Sequence, residues 1–267
     1  MMAESDAEEE RIEERRMPLI DHLIELRRRL FHSLIALLIT FLICFYFANP
    51  IFDFLVEPLA ALWEGEEERR LIYTALHEKF FTNIKVAFFA ALFFSFPLVA
   101  SQIWLFVAPG LYRNEKMAFL PFLVATPILF LLGAAMVYYI VMPVAWQFFA
   151  SFQQFGAEGA LPIELLPKVG EYLSLVMRLI FAFGISFELP VLITLLARVG
   201  LATSDGLKSK RRYAIVLAFV AAAILTPPDP LSQVSLAVPI VLLYEISILC
   251  ARMIEKKYEK EAAEGAV

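Results

Sequence analysis

The sequence predicts an all-α membrane protein that crosses a bilayer six times, and three observations lead there. Of the 267 residues, 60% are apolar and the mean hydropathy is +0.71, whereas the apolar share of soluble domains is nearer half. The apolar residues gather into six runs, at 30–47, 84–107, 119–142, 173–199, 213–225 and 234–250. Lys and Arg then concentrate in alternate connections, the pattern of a chain threaded back and forth through a membrane.

The first four runs approach or exceed the roughly 20 residues that cover about 30 Å of hydrocarbon. The last two, at 13 and 17 residues, are short for a full crossing. Such a pair either thins the local bilayer or borders a water-filled cavity. Prolines inside or at the ends of the runs (Pro97, Pro127, Pro143, Pro190, Pro239) each remove a backbone donor, so bent helices and concave walls are expected.

Basic residues that flank short loops stay in the cytoplasm, while acidic ones contribute little to orientation. Arg11, Arg15, Arg16 and Arg27 to Arg29 precede the first run, and Arg113 and Lys116 lie in the second connection. Lys208, Lys210, Arg211 and Arg212 fill the fourth, and Arg252, Lys256, Lys257 and Lys260 follow the last run. By contrast the first connection is rich in acidic residues (Asp53, Glu57, Glu64, Glu66, Glu67 and Glu68), the third has only Lys168 between its helices, and the fifth has no basic residue. Both termini are therefore expected on the cytoplasmic side of a multi-pass protein of the cytoplasmic membrane.

Three regions follow from this reading. Residues 1–16 form an acidic, flexible tail with no cleavable signal, 17–253 form one six-helix transmembrane domain, and 254–267 form a charged cytoplasmic tail. The first and third outer connections are long and carry Pro50, Pro58, Pro162 and Pro167 among aliphatic and aromatic residues, so they are read as ordered caps. Cys44 and Cys250 fall near opposite membrane faces, too far apart for a disulfide.

Candidate functional residues are polar groups placed where lipid would not tolerate them idle. Leu19, Leu23, Leu26 and Leu30 recur at helical spacing, so an amphipathic helix runs along the interface into the first span. Its polar face carries Asp21, Glu25, Arg28 and Arg29. Glu25 is spaced to pair with Arg29 one turn later, a local contact of a few tenths of a kcal/mol. Together with Glu115 in the second connection, it also supplies two carboxylates on one membrane face, able to take guanidinium groups bidentately.

Glu188 stands inside the fourth run, where a charge costs about 2.5 to 3.5 kcal/mol or more without water or a partner. Its alternatives are a functional carboxylate or a protonated one bonded to a neighbouring helix. The turn between the two short runs concentrates Thr226, Asp229, Ser232 and Gln233. These either cap helix ends or receive a partner transmembrane helix. No Gly-rich phosphate loop, metal-spaced Cys/His set or HExxH motif occurs, so neither an enzyme nor a cofactor or metal is expected.

Six stretches carry a family likeness: HLIELRRRL, YFANPIFDFLVEPL, KFFTNIK, QIWLFVAPGLYRNEK, AFGISFELPV and LTPPDPLSQ. In this order and spacing, from about Met17 to Met253, the chain resembles the TatC family, the multispanning subunit of the twin-arginine translocase. The resemblance implies six spans in a curved, glove-like arrangement that receives folded proteins whose signal peptide carries Arg-Arg. It also implies export driven by the proton motive force with single-span partners of the TatA and TatB type, and several copies of the chain in the complex.

Residue by residue, the likeness implies that Glu25 and Glu115 bind the arginine pair with Arg27 in support, and that Phe106 and Pro109 frame the same loop. It places Glu188 on the concave face, Thr226, Asp229 and Gln233 near the partner-docking region, and Pro58 and Phe80 in the outer cap. Asn83 departs from the proline this family often has after FFT. A competing reading is a proton-coupled small-solute transporter using Glu188 and Asp229, against which the lack of an internal repeat counts. A passive membrane scaffold would leave the three glutamates without a role.

Overall fold

The computed structural model describes residues 2–63, 70–107, 116–154, 161, 164–198, 200–226 and 230–264. Ten α-helices account for nearly all of them: α1 Met2–Tyr46, α2 Ala48–Ala60, α3 Glu78–Val107, α4 Lys116–Met136, α5 Met142–Ala150, α6 Val169–Phe187, α7 Leu189–Arg198, α8 Ser204–Ser209, α9 Arg211–Leu225 and α10 Pro230–Glu264. A five-residue π segment, Val137–Val141, joins α4 to α5, so these form one bent rod in which Pro143 sits at the start of α5. The all-α, multi-pass reading holds.

Among the described residues, five helical stretches are long and apolar enough to cross a membrane: Ile20–Tyr46, Glu78–Phe106, Pro121–Ala150, Val169–Arg198 and Ser232–Lys257. The fifth apolar run forms α9, whose 15 residues span about 22 Å at 1.5 Å per residue, short of a full hydrocarbon crossing. The run at 234–250 is equally short, but its helix is not. Pro230 opens α10 four residues before the run, where its missing N–H is no loss, and good helix formers after the run extend the helix to 35 residues. Likewise the acidic residues ahead of Arg16 belong to α1.

α1 packs along α3 and leaves most of its surface outward: only 6% of its apolar window is buried. The main core lies between α2, α3, the α4–α5 rod, α6, α9 and α10, around Leu55, Val86, Met142, Leu173, Phe183 and Leu236. Two glycines let α4 and α6 touch. A Cβ on Gly133 would stand 2.7 Å from the Phe183 carbonyl oxygen, and one on Gly184 would stand 2.5 Å from the Phe130 ring. Small residues at such a crossing are how membrane helices gain close dispersion contact.

The end of the molecule that carries α2 is tied by polar clasps. The Tyr138 hydroxyl lies 2.8 Å from the Phe54 carbonyl oxygen and 3.0 Å from Glu57 Oε2, while the Tyr172 hydroxyl donates to the Leu55 carbonyl at 3.1 Å, so two helices grip α2. Ile72 and Lys168 form a parallel bridge through Ile72 N–H to Pro167 O and Val169 N–H to Ile72 O. Glu78 accepts from the backbone N–H groups of Thr74 and Gly170 at 2.9 and 3.2 Å. Backbone groups at the bilayer edge are thereby satisfied from within the protein.

Candidate functional site

The expected pair of Glu25 and Arg29 is formed, with Arg29 Nη2 3.1 Å from Glu25 Oε1 and both side chains partly exposed. Arg29 reaches further than its own helix. Its Nη1 donates to Gln102 Oε1 on α3 at 3.3 Å, so one guanidinium ties the carboxylate to the neighbouring helix. A turn earlier on α1, the His22 ring stacks on Phe106, centroids 4.2 Å apart and planes inclined by 17°. Arg27 is exposed, about 200° around α1 from both Glu25 and Arg29.

Gln102 and Phe106 are one turn apart and face α1 together. Trp104, about 200° around the helix from Gln102, points the other way. Its indole N–H donates to the Thr126 hydroxyl on α4 at 3.2 Å, and Thr126 in turn lies beside Glu188. Thus five residues of α3, QIWLF, serve a polar end face on one side and a buried carboxylate on the other.

Glu188 is 8% exposed and closes α6. Pro190 lacks an N–H and breaks the ladder, so the fourth apolar run is two helices, α6 and α7, meeting at the carboxylate. One Glu188 oxygen, Oε1, has no hydrogen-bond partner. The carboxylate therefore sits at a helix break among apolar walls with a buried oxygen able to accept a donor.

Other candidate residues have internal bonds or sit apart. The Thr226 hydroxyl donates to the Ala222 carbonyl at 2.9 Å, and Gln233 Nε2 donates to the Phe219 carbonyl at 3.3 Å, clasping α10 to α9. Pro58 lies half-buried in α2 and Phe80 projects outward from α3. Asn83, at the position of the missing proline, donates to Asn49 Oδ1 at 3.1 Å and so joins α3 to α2. Pro109, Glu115 and Asp229 fall outside the described residues.

His22, Gln102, Trp104 and Thr126 were not singled out in the sequence. Thr126 was the most legible of them, a polar residue set in the apolar run FLVATPILF. The bonds of the other three depend on which helices become neighbours.

The fold and these polar positions define a multi-pass helical membrane protein with a polar patch at one end of two packed helices and, behind it, the one carboxylate buried among the described residues. The family model described as Sec-independent protein translocase protein (TatC) matches residues 21–239. A TatC of Magnetococcus marinus is 54% identical over 254 residues, covering 95% of this chain and 91% of that protein. The TatC of Escherichia coli K12 is 40% identical over 235 residues, 88% of each. A crystal structure of the twin-arginine translocase receptor TatC superimposes with a TM-score of 0.75 at 40% identity, over 88% of this chain and 99% of that one. The chain belongs to the TatC family and is a membrane component of Sec-independent protein translocation.

Proposed function

We propose that this chain is the receptor subunit that captures Arg-Arg signal peptides of folded proteins on the cytoplasmic face. With TatA- and TatB-type partners, it passes the cargo across the cytoplasmic membrane at the expense of the proton motive force. The observation that carries this reading is the fixed carboxylate: Glu25 is held by Arg29, which is in turn held by Gln102 of α3. A carboxylate with one oxygen engaged presents the other in a set direction, and a hydrogen bond to a charged partner is worth about 1.5 to 3 kcal/mol when formed.

The Glu25 patch adjoins the connection that carries Pro109 and Glu115, and the His22–Phe106 stack fastens that connection's first helix to α1. Glu115 supplies the second carboxylate for the arginine pair, with Arg27 beside it. The planar guanidinium fork suits two carboxylates better than the compact ammonium of lysine. The apolar part of the signal lies along the wall that holds Glu188, whose free oxygen accepts one donor from it. Thr226, Asp229 and Gln233 mark where α9 and α10 receive partner helices, and Pro58 and Phe80 belong to the cap on the far face.

The direct test is a binding titration of a labelled Arg-Arg signal peptide on the purified protein and on Glu25→Gln, Glu115→Gln and the double variant. Each single variant weakens binding about tenfold or more, the scale of one charged hydrogen bond. Unchanged affinity in all three overturns the reading.

A further inference from the structure

The outer half of the molecule holds a cavity of about 1030 Å³ between α3, α5, α6 and the end of α9. Lys85 and Arg178 line it, and so do apolar groups including Phe81, Phe149, Leu175 and Leu225. Lys85 lies seven residues past the start of α3 and Arg178 nine past the start of α6, depths of about 10 and 13 Å along their helices. Cations so deep need an anion or water.

The acids lining the same cavity are already engaged. Glu78 is taken by two backbone N–H groups, and Glu171 pairs with Lys168 at 3.5 Å. Arg178 spends its Nε on the Ser174 carbonyl at 3.1 Å, which leaves its two terminal nitrogens, and Lys85 meets no carboxylate among the described residues. Two cations without a carboxylate partner thus face a space that also has an apolar wall of Phe81, Phe149, Leu175 and Leu225, the chemistry of a phosphate head with acyl chains.

We propose that this cavity binds the phosphate of one anionic phospholipid, drawn below the interface between Lys85 and Arg178, with its chains along Phe81, Leu175 and Leu225. The occupant is a lipid and not free phosphate, because the apolar lining has no use for an ion alone and the site lies within the spanning helices. The proposal is independent of signal-peptide capture.

The test is native mass spectrometry of the full-length protein released from nanodiscs with equal parts phosphatidylglycerol and phosphatidylcholine. The variants are Lys85→Gln, Arg178→Gln, the double variant and, as a charge-matched control, Lys256→Gln near the far end of α10. The protein retains phosphatidylglycerol over phosphatidylcholine. Each cavity variant lowers that preference about fivefold, and the control leaves it intact. Three results overturn the proposal: no preference in the unaltered protein, equal retention in the double variant, or displacement of the bound lipid by excess inorganic phosphate.

Discussion

His22 of α1 lies flat on Phe106 of α3, ring centroids 4.2 Å apart, one turn along α3 and two along α1 from the contact between Arg29 and Gln102. The two contacts fasten a helix that otherwise faces mostly outward, and they do so at the end where signal capture is proposed. They add to the packing of α1 along α3 at the end that carries Glu25.

A first prediction follows for His22→Ala. An aromatic pair is worth about 0.5 to 1.5 kcal/mol beyond its area, so the variant binds an Arg-Arg peptide roughly two- to tenfold more weakly while keeping its helical circular dichroism. Affinity equal to that of the unaltered protein would remove the stack from the account.

Gln102→Leu is expected to act through Arg29. Losing the contact at 3.3 Å leaves Glu25 with its partner but frees the pair from α3. Peptide affinity falls, and a spin-label pair on α1 and α3 reports a broader distance distribution. An unchanged distribution together with weaker binding would point to direct contact between Gln102 and the peptide.

Thr126→Val removes the hydroxyl that accepts from Trp104 and lies beside Glu188, without changing the side-chain shape much. The indole N–H then loses its partner, at about 1 to 3 kcal/mol. Thermal unfolding in detergent, followed by tryptophan fluorescence, should show the loss. Glu188→Gln, which keeps an acceptor for Thr126 and adds no charge, stays within about 1 kcal/mol of the unaltered protein.

Gly133→Ala places a methyl group 2.7 Å from a backbone oxygen of α6, so the crossing must open, at about 1 to 3 kcal/mol. Gly184→Ala meets the Phe130 ring, itself stacked on Phe96 at 3.8 Å and unable to swing away freely. Both variants should unfold at lower temperature. A thermal midpoint equal to that of the unaltered protein would show that the helices give way cheaply.

Much of this arrangement could be read in the sequence because it is local. The apolar runs mark the helices, and the four-residue spacing of Glu25 and Arg29 predicts their pair. Glu188 stands out by charge alone, although Pro190 two residues later also signalled that the run breaks there. Contacts that join distant segments left no such trace. Arg29 meets Gln102 across 73 positions, and Gly133 earns its place only opposite Phe183. The length of α10 was hidden for another reason: hydropathy finds the lipid-facing part of a helix, while Lys, Glu and Ala continue it into water.

Site-specific photocrosslinking from positions 25 and 115 to signal peptides, Arg-Arg beside Lys-Lys in the same membranes, tests the central claim most directly. The account predicts a crosslink at both positions with the arginine peptide that drops sharply with the lysine peptide. Equal crosslinking of the two peptides, or none with either, contradicts the assignment of Glu25 and Glu115 as the receptor for paired arginines.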